Sequence, residues 1–293
     1  MKKVLLILLA AVLSLPAARA QYGALTFNPD AKSLAMGGVT ATTLSASHTL
    51  FNNASLVLFA PSPFQLSSSY SGQNDGYCYA VSGYCHLGRS AVEAGWRRYD
   101  YGAGRDMALD AAYSRRFGRF VALAITGRYL HYRNTSGQTA DALAADLNAS
   151  ARLPIERLSE NSALILGAKL ANMGGYLEGG DSALPVDLTL GAALEWWLRD
   201  THKLNFALDC GYRFNPGSIR GATVAVGAEY TFMQLLMFRC GYHFSERQTL
   251  CPDYASVGVG LRFMHLRLDV AYLLAEKNTP LRNGYSLSFG LDF

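Results

Sequence analysis

The chain has 293 residues and a formal net charge of +4, and 50% of its residues are hydrophobic while only 16% are charged. Soluble domains carry roughly 25% charged residues, so this composition excludes a disordered chain and is apolar for a soluble domain. The length is sufficient for one large all-β unit.

The first twenty residues have the three parts of a secretory signal peptide. Lys2 and Lys3 form a basic start, an apolar stretch covers 4–15, and segment 18–20 (Ala-Arg-Ala) is an A-x-A cleavage site. We therefore expect export, with cleavage after Ala20. Removing three basic residues leaves 23 against 22 acidic ones. A nearly neutral mature chain does not support binding to nucleic acid.

Residues 21–60 do not alternate and are rich in Ser, Thr and Ala. We expect this segment to be a short N-terminal hatch that lies inside a barrel formed by the rest of the chain, residues 61–293. Glycines there would permit tight turns in a crowded lumen. The hatch residues that we single out, in structural roles, are Ser33, Met36, Gly37, Gly38, Asn52 and Asn53.

From residue 64 onward, apolar residues alternate with small or polar ones, which is the period of a strand with two different faces. We predict fourteen strands, an even number as in bacterial outer-membrane barrels. They cover 64–71, 76–87, 90–100, 106–117, 119–132, 140–153, 161–173, 185–199, 202–214, 219–231, 233–244, 254–264, 266–275 and 284–293. Alternation alone leaves a secreted soluble β protein open. The regular hairpins up to an aromatic last residue favour a transmembrane antiparallel β-barrel.

The connections between the predicted strands differ in length. Tight turns fall at 86–89, 117–119, 231–233 and 263–265, and longer connections at 133–141, 173–185, 245–253 and 276–284. Short periplasmic turns and longer outer loops are typical of these barrels, so both ends of the barrel should face the periplasm. The connection 154–161 is long for that side. Phe293 ends a perfectly alternating strand, and we interpret it as an assembly signal.

Phasing the strands places many charges of both signs inward. We predict a lumen charge network that includes Asp209, Glu229, Arg239, Arg262 and Asp269. Balanced ladders of this kind are more often structural than functional. The inward faces offer little Phe or Leu, so we expect a filled lumen rather than an apolar pocket for hydrophobic transport.

Little in the sequence indicates chemistry. Five cysteines, an odd number, do not make a closed disulfide framework, and no Cys/His spacing resembles a zinc site. No G-x-S-x-G elbow is present. We expect a non-enzymatic protein without catalytic residues, cofactor or metal.

The N-terminal segment resembles the PorV/PorQ family of FadL-like outer-membrane proteins. Residues 28–38 (Asn-Pro-Asp-Ala-Lys-Ser-Leu-Ala-Met-Gly-Gly) follow the family element A-P-D-A-R-A-x-x-M-G-G, and residues 51–56 follow W-N-P-A-x-L. Phe51 stands in place of Trp, and Asn53 stands at the usual Pro position. The strands at 256–262, 268–272 and 287–293 also resemble the end of the family pattern, whereas the middle matches only in strand rhythm.

This resemblance implies a barrel in the outer membrane, and two functions follow as hypotheses. The first is an accessory subunit of an outer-membrane protein complex, of the type IX secretion or barrel-assembly type, with a part in protein transport. The second is a FadL-like passive transporter of small hydrophobic compounds, which would need a kinked or Gly-rich strand beside the hatch and an apolar cavity. The expected partners are outer-membrane lipid, the barrel-assembly machinery during biogenesis, and other outer-membrane or periplasmic proteins.

Overall fold

The computed structural model describes residues 23–73, 76–178, 183–246, 251–277 and 279–293. The predicted signal peptide and its cleavage site lie outside these residues. The helices are α1 (Gly23–Thr26), α2 (Ala31–Ala35) and three 3₁₀ helices, Thr49–Phe51, Ala54–Phe59 and Gly217–Ile219. The strands are β1 (Phe64–Gln73), β2 (Gly76–Leu87), β3 (Ser90–Tyr101), β4 (Gly104–Phe117), β5 (Val121–Arg133), β6 (Thr139–Pro154), β7 (Ala163–Glu178), β8 (Asp187–Arg199), β9 (His202–Arg213), β10 (Gly221–Phe232), β11 (Leu236–Ser245), β12 (Tyr254–Phe263), β13 (Leu266–Ala275) and β14 (Tyr285–Asp292).

The fourteen strands of the described residues form one closed antiparallel barrel. Each strand pairs with the next along the chain, and β1 pairs with β14 from Gln65–Asp292 to Gly72–Tyr285. Every strand therefore has a partner strand on both sides, as a sheet that spans a bilayer requires. The predicted fold class and strand number are confirmed. None of the helices among the described residues has the length and apolar character to cross a membrane.

The wall has an apolar outer face and a polar or small inner face. In β5, for example, Leu123 and Ile125 are 47% and 54% exposed, whereas the alternating Ala124 and Thr126 are buried. The same alternation runs through β2, β4, β13 and β14. In water such a surface would be costly to expose, so the outside of the barrel is suited to lipid.

The two rims of the barrel are named here from the chain ends. The terminal rim carries Phe64 and Phe293, and the distal rim carries Gln73 and Gly76. At the terminal rim the Phe293 amide donates to the carbonyl oxygen of Phe64 (2.9 Å), and its ring stacks on His265 with centroids 5.3 Å apart. The Phe293 side chain is 57% exposed. The last residue therefore closes the seam and leaves its ring accessible.

One strand departs from the regular pattern. β7 extends to Glu178 rather than ending near 173, and Asn172 within it has φ +60°. The register between β6 and β7 shifts between Ala145 and Leu147, and the β7–β8 ladder stops at the pair Ala171–Asp187. The distal half of β7, which also contains two glycines, is therefore held by β6 alone. This bulged half-strand is absent from our sequence prediction because its continuation depends on the left-handed residue.

Candidate functional site

Residues 23–60, here called the hatch, run through the lumen from one rim to the other. The Gly23 amide at the start of α1 donates to Oδ2 of Asp106 near the distal rim (2.9 Å). Near the terminal rim, Nε2 of His86 donates to the carbonyl oxygen of Val57 (2.8 Å). Most hatch side chains between these points are buried. The hatch therefore blocks a straight path through the barrel.

Part of the hatch lies directly against the backbone of the wall. Hatch residues 35–41 contact five inward-facing glycines, which we call the glycine belt: Gly167, Gly191, Gly227, Gly241 and Gly258. A Cβ on Gly227 would lie 2.5 Å from the carbonyl oxygen of Met36. A Cβ on Gly37, where φ is +72°, would lie 2.6 Å from the carbonyl oxygen of Val226. Contact this close is sterically available only to glycine.

The predicted hatch residue Ser33 belongs to a hydrogen-bonded node centred on Asp30. The Asp30 carboxylate accepts from the amides of Ser33 (3.1 Å) and Ser47 (3.1 Å) and from Nδ2 of Asn52 (3.0 Å). The first of these contacts caps α2. Burial and the nearby Asp269 carboxylate raise the pKa of Asp30 above its usual range. The node ties three stretches of the hatch together.

Asn53 fastens the next part of the hatch. Its Oδ1 accepts from the amide of Ser55 (3.2 Å) and so caps a 3₁₀ helix. Its Nδ2 donates to the carbonyl oxygens of Ala41 in the hatch (2.9 Å) and Ala149 in β6 (3.2 Å). A proline at this position would have neither side-chain donor nor acceptor. Asn53 therefore replaces the expected Pro with a tie between the hatch and the wall.

Four of the five residues predicted for the lumen charge network lie together. Arg239 bonds Glu229 and Asp269, both at 2.6 Å. Hatch residue Lys32 joins from the other side, with its Nζ 3.3 Å from Glu229. The network continues to the terminal rim through Arg267, which lies 3.8 Å from Asp269, and through Asp292, which lies 3.4 Å from Arg262. The order of contacts along it is Lys32, Glu229, Arg239, Asp269, Arg267, Asp292 and Arg262. Burial lowers the pKa of Lys32, and Glu229 opposes this shift.

Asp209 does not belong to that network, contrary to our prediction. Glu229 pairs in register with Asn205 rather than with Asp209, which lies four residues further along β9. The Asp209 carboxylate instead accepts from the amides of Thr40 (2.7 Å) and Ala41 (2.8 Å). The sequence prediction placed Asp209 and Glu229 side by side because it counted strands without knowing their register. Asp209 anchors the hatch backbone where the chain leaves the glycine belt.

A second charge network crosses β3 to β6. Arg128 binds both Asp110 and Asp146, and Nε of Arg97 lies 3.5 Å from Asp110. Asn172 joins through its amide, which donates to Asp146 (2.7 Å). These charges face inward as the strand phase predicts. The network reaches the left-handed residue of β7 and so fixes the base of the bulged half-strand.

A cavity of about 160 Å³ lies between the hatch and strands β8–β13 near the distal rim. Phe27 and Leu34 of the hatch and Leu273 of β13 form part of its apolar side, with Leu281 from the β13–β14 connection. Its polar side includes Arg213, whose guanidinium binds Asp187 at 2.7 and 2.9 Å. An engineered apolar cavity of about 150 Å³ binds benzene, so this one has room for one small aromatic ring.

The expectation of a lumen without an apolar pocket is wrong. Phe27 and Leu34 come from the hatch and Leu281 from a loop, so the inward faces of the strands alone could not reveal it. Gly38, predicted as a turn residue, also lines the cavity with φ +83°. A Cβ there would lie 2.6 Å from Oη of Tyr254. The Met-Gly-Gly element thus shapes both the glycine belt and the cavity floor.

Comparison with family models and with characterised protein sequences gives no match. Solved structures do match. The toluene transporter TodX of Pseudomonas putida has a TM-score of 0.64 at 13% identity, over 89% of this chain and 97% of that one. The monoaromatic hydrocarbon channel CymD gives 0.63 at 12%, over 92% and 99%. A Pseudomonas aeruginosa FadL homologue gives 0.55 at 12%, over 91% and 99%.

What these likenesses show is a shared fold. The chain has the fold of a toluene transporter, a monoaromatic hydrocarbon channel and a FadL homologue over 89–92% of its length. Nothing in these comparisons singles out the PorV/PorQ family.

Proposed function

We propose that this protein is an integral outer-membrane barrel that admits a small hydrophobic compound passively, with the terminal rim in the periplasm. The observation that carries the proposal is the cavity near the distal rim, which has one apolar side and the volume of a single aromatic ring. The fold supports it, because neighbours of the same fold include a toluene transporter and a monoaromatic hydrocarbon channel. The protein acts without catalysis.

The bulged half of β7 is the proposed exit from the cavity. Asp187 lines the cavity and is also the last β8 residue that pairs with β7. Beyond this pair the distal part of β7 lacks β8 as a partner, so the wall is weakest beside the cavity. The hatch blocks the straight route to the terminal rim. A compound would therefore leave sideways, between β7 and β8, into the lipid.

Uptake of radiolabelled toluene into cells that express the protein tests this function. Leu281→Trp should fill the cavity and reduce uptake to the level of cells without the barrel, since Leu281 is only 7% exposed and lies against the cavity. Leu123→Trp is the control, because Leu123 is 47% exposed on the outer face of β5, away from β7 and β8. Equal uptake by both variants and the unaltered protein would contradict the proposal.

An accessory-subunit role, as in the PorV/PorQ family, is the second candidate. The buried network that ties Lys32 of the hatch to Glu229 favours it, because a fixed plug suits a scaffold better than a gate. Extraction from native membranes in mild detergent, followed by mass spectrometry, separates the two candidates. A stoichiometric partner, such as a secretion or barrel-assembly component, would favour the subunit. A barrel that purifies alone would favour transport.

A further inference from the structure

A basic hollow of about 300 Å³ opens at the terminal rim, beneath the end of the hatch. Three arginines converge on it: Arg116 from the end of β4, Arg119 from the β4–β5 turn, and Arg152 from β6. Phe59 of the hatch and Phe120 form part of its apolar lining. The hollow lies at the opposite end of the barrel from the cavity proposed for transport.

The charge of the basic hollow is not neutralised by its own lining. The described residues that line it include no carboxylate. Arg152 is bonded to Glu195 at 3.3 Å, but Nε of Arg116 is buried and has no hydrogen-bond partner among the described residues. A neighbouring hollow contains Glu160 and Asp200. The two hollows share Arg152, so the carboxylates lie on its far side and the positive charge of Arg116 and Arg119 is left without a carboxylate in the lining.

The basic hollow lies beside the lipid-facing surface at the β4–β5 turn. Phe120 lines the hollow and is itself 43% exposed. On either side of it along the turn, Phe117 and Val121 are 52% and 42% exposed on the outer face. A molecule with one anionic end and apolar chains would place the anion among the guanidinium groups. Its chains would then lie over the rim against the aromatic surface.

We propose that the basic hollow binds the phosphate group of a phospholipid from the adjacent leaflet, with the acyl chains on Phe117, Phe120 and Val121. Guanidinium groups bind phosphate through paired charge-assisted hydrogen bonds, and basic pockets at membrane interfaces hold lipid head groups. The lipid fastens the β4–β5 hairpin at the rim where the hatch leaves the lumen. This inference depends on the proposed placement in a membrane but not on transport.

The test uses the purified, delipidated full-length mature barrel in detergent. It is titrated with dioctanoyl phosphatidylglycerol, dioctanoylglycerol, inorganic phosphate and, as a competing ligand class, a glutamate-rich peptide, with native mass spectrometry and calorimetry as readouts. We expect one molecule of phosphatidylglycerol to bind, and the two probes that represent its parts to bind much more weakly. The double variant Arg116→Gln/Arg119→Gln should weaken binding by at least about tenfold, because it removes two charged donors.

Two further variants keep the test decisive. Arg133→Gln, at the exposed distal end of β5, is the matched control and should bind like the unaltered protein. Arg116→Lys/Arg119→Lys retains the charge and should keep part of the affinity for the lipid. It replaces the glutamine variant in the test if that variant assembles poorly. Heat-modified electrophoretic mobility reports assembly of each variant.

Equal affinity for dioctanoylglycerol, or unchanged binding in an assembled Arg116→Gln/Arg119→Gln barrel, would overturn the proposal. Inorganic phosphate that binds as tightly as the lipid would also overturn it, and would make the hollow a site for free anions. Tighter binding of a glutamate-rich peptide than of the lipid would replace the lipid with a protein partner. None of these outcomes bears on toluene uptake, so failure here leaves the transport proposal intact.

Discussion

Replacing Gly37 with alanine should detach the hatch from the wall. The added methyl group would lie 2.6 Å from the Val226 carbonyl oxygen and 2.6 Å from both the backbone nitrogen and the oxygen of Tyr242. Backbone atoms of two paired strands cannot move aside independently, so the hatch must shift. Overpacking of this kind costs about 1–3 kcal/mol, and the left-handed conformation of residue 37 adds about 1–2 kcal/mol for alanine. The total is about 2–5 kcal/mol.

Gly118 offers a matched control for the conformational part of this cost. It has φ +65°, similar to the +72° of Gly37, but a Cβ on Gly118 would meet no atom within 4 Å. Gly118→Ala should therefore cost only the conformational term, about 1–2 kcal/mol. Urea unfolding of the two variants in detergent gives the free energies, and limited proteolysis within residues 23–60 reports exposure of the hatch.

Close contact at Gly37 predicts that the two substitutions lower the free energy of unfolding by different amounts. Gly37→Ala should lose at least about 1 kcal/mol more than Gly118→Ala and should expose hatch cleavage sites in a barrel that still migrates as folded. If both variants lose the same free energy, close contact between the hatch and the wall contributes nothing beyond backbone strain. The glycine belt would then merely leave space beside the hatch and would not hold the hatch in place.

Three further predictions concern the charges and the ends of the hatch. Glu229→Gln removes one carboxylate from buried cations and should lower the free energy of unfolding in urea by about 3–5 kcal/mol. Exposed Glu156→Gln is the control and should change it by no more than about 0.5 kcal/mol. Equal losses of free energy would refute a stabilising network. Burial lowers the pKa of His48 to about 3 from 6.5, so its contribution is present above pH 6.5 and is lost as the pH falls toward 3. Wild type should lose about 1.4 kcal/mol per pH unit in that window relative to His48→Gln, and parallel stability curves at pH 5–7 would contradict this. Asp106→Asn weakens the contact with the Gly23 amide, so proteolysis should trim the start of the hatch first; an unchanged cleavage pattern would show that Asp106 is not its anchor.

The sequence revealed the barrel because alternation is a local property of each strand. The last strand shows why: apolar Leu287 and Phe289 face outward, and the alternating Ser286 and Ser288 face the hatch. Because each strand has one buried face and one exposed face, residue type alternates at every second position. Strand positions were therefore predictable to within a few residues. β7 was the main exception, because its extension depends on a left-handed Asn172 that no alternation rule describes.

The interior was less predictable because it depends on register and on the hatch. Asp209 and Glu229 look equivalent on phased strands, yet only Glu229 meets Arg239, since the register sets them four residues apart. The glycine belt left a readable signal, namely glycines at inward positions of successive strands such as Gly227 and Gly241. The cavity left none, because its walls come from segments far apart in the chain.

The path of the hatch also determines the order in which this molecule can be built. Its early residues contact the last strands: the Ala31 amide donates to Ser288, 257 positions later, and Ala35 lies against Gly258 of β12. Residues 31–35 of the hatch therefore lack these partners until β12 to β14 are in place. Closure of the seam between β1 and β14 and burial of the hatch must then be late and nearly simultaneous. A chain that lacks its final hairpin would lose the plug as well as two strands.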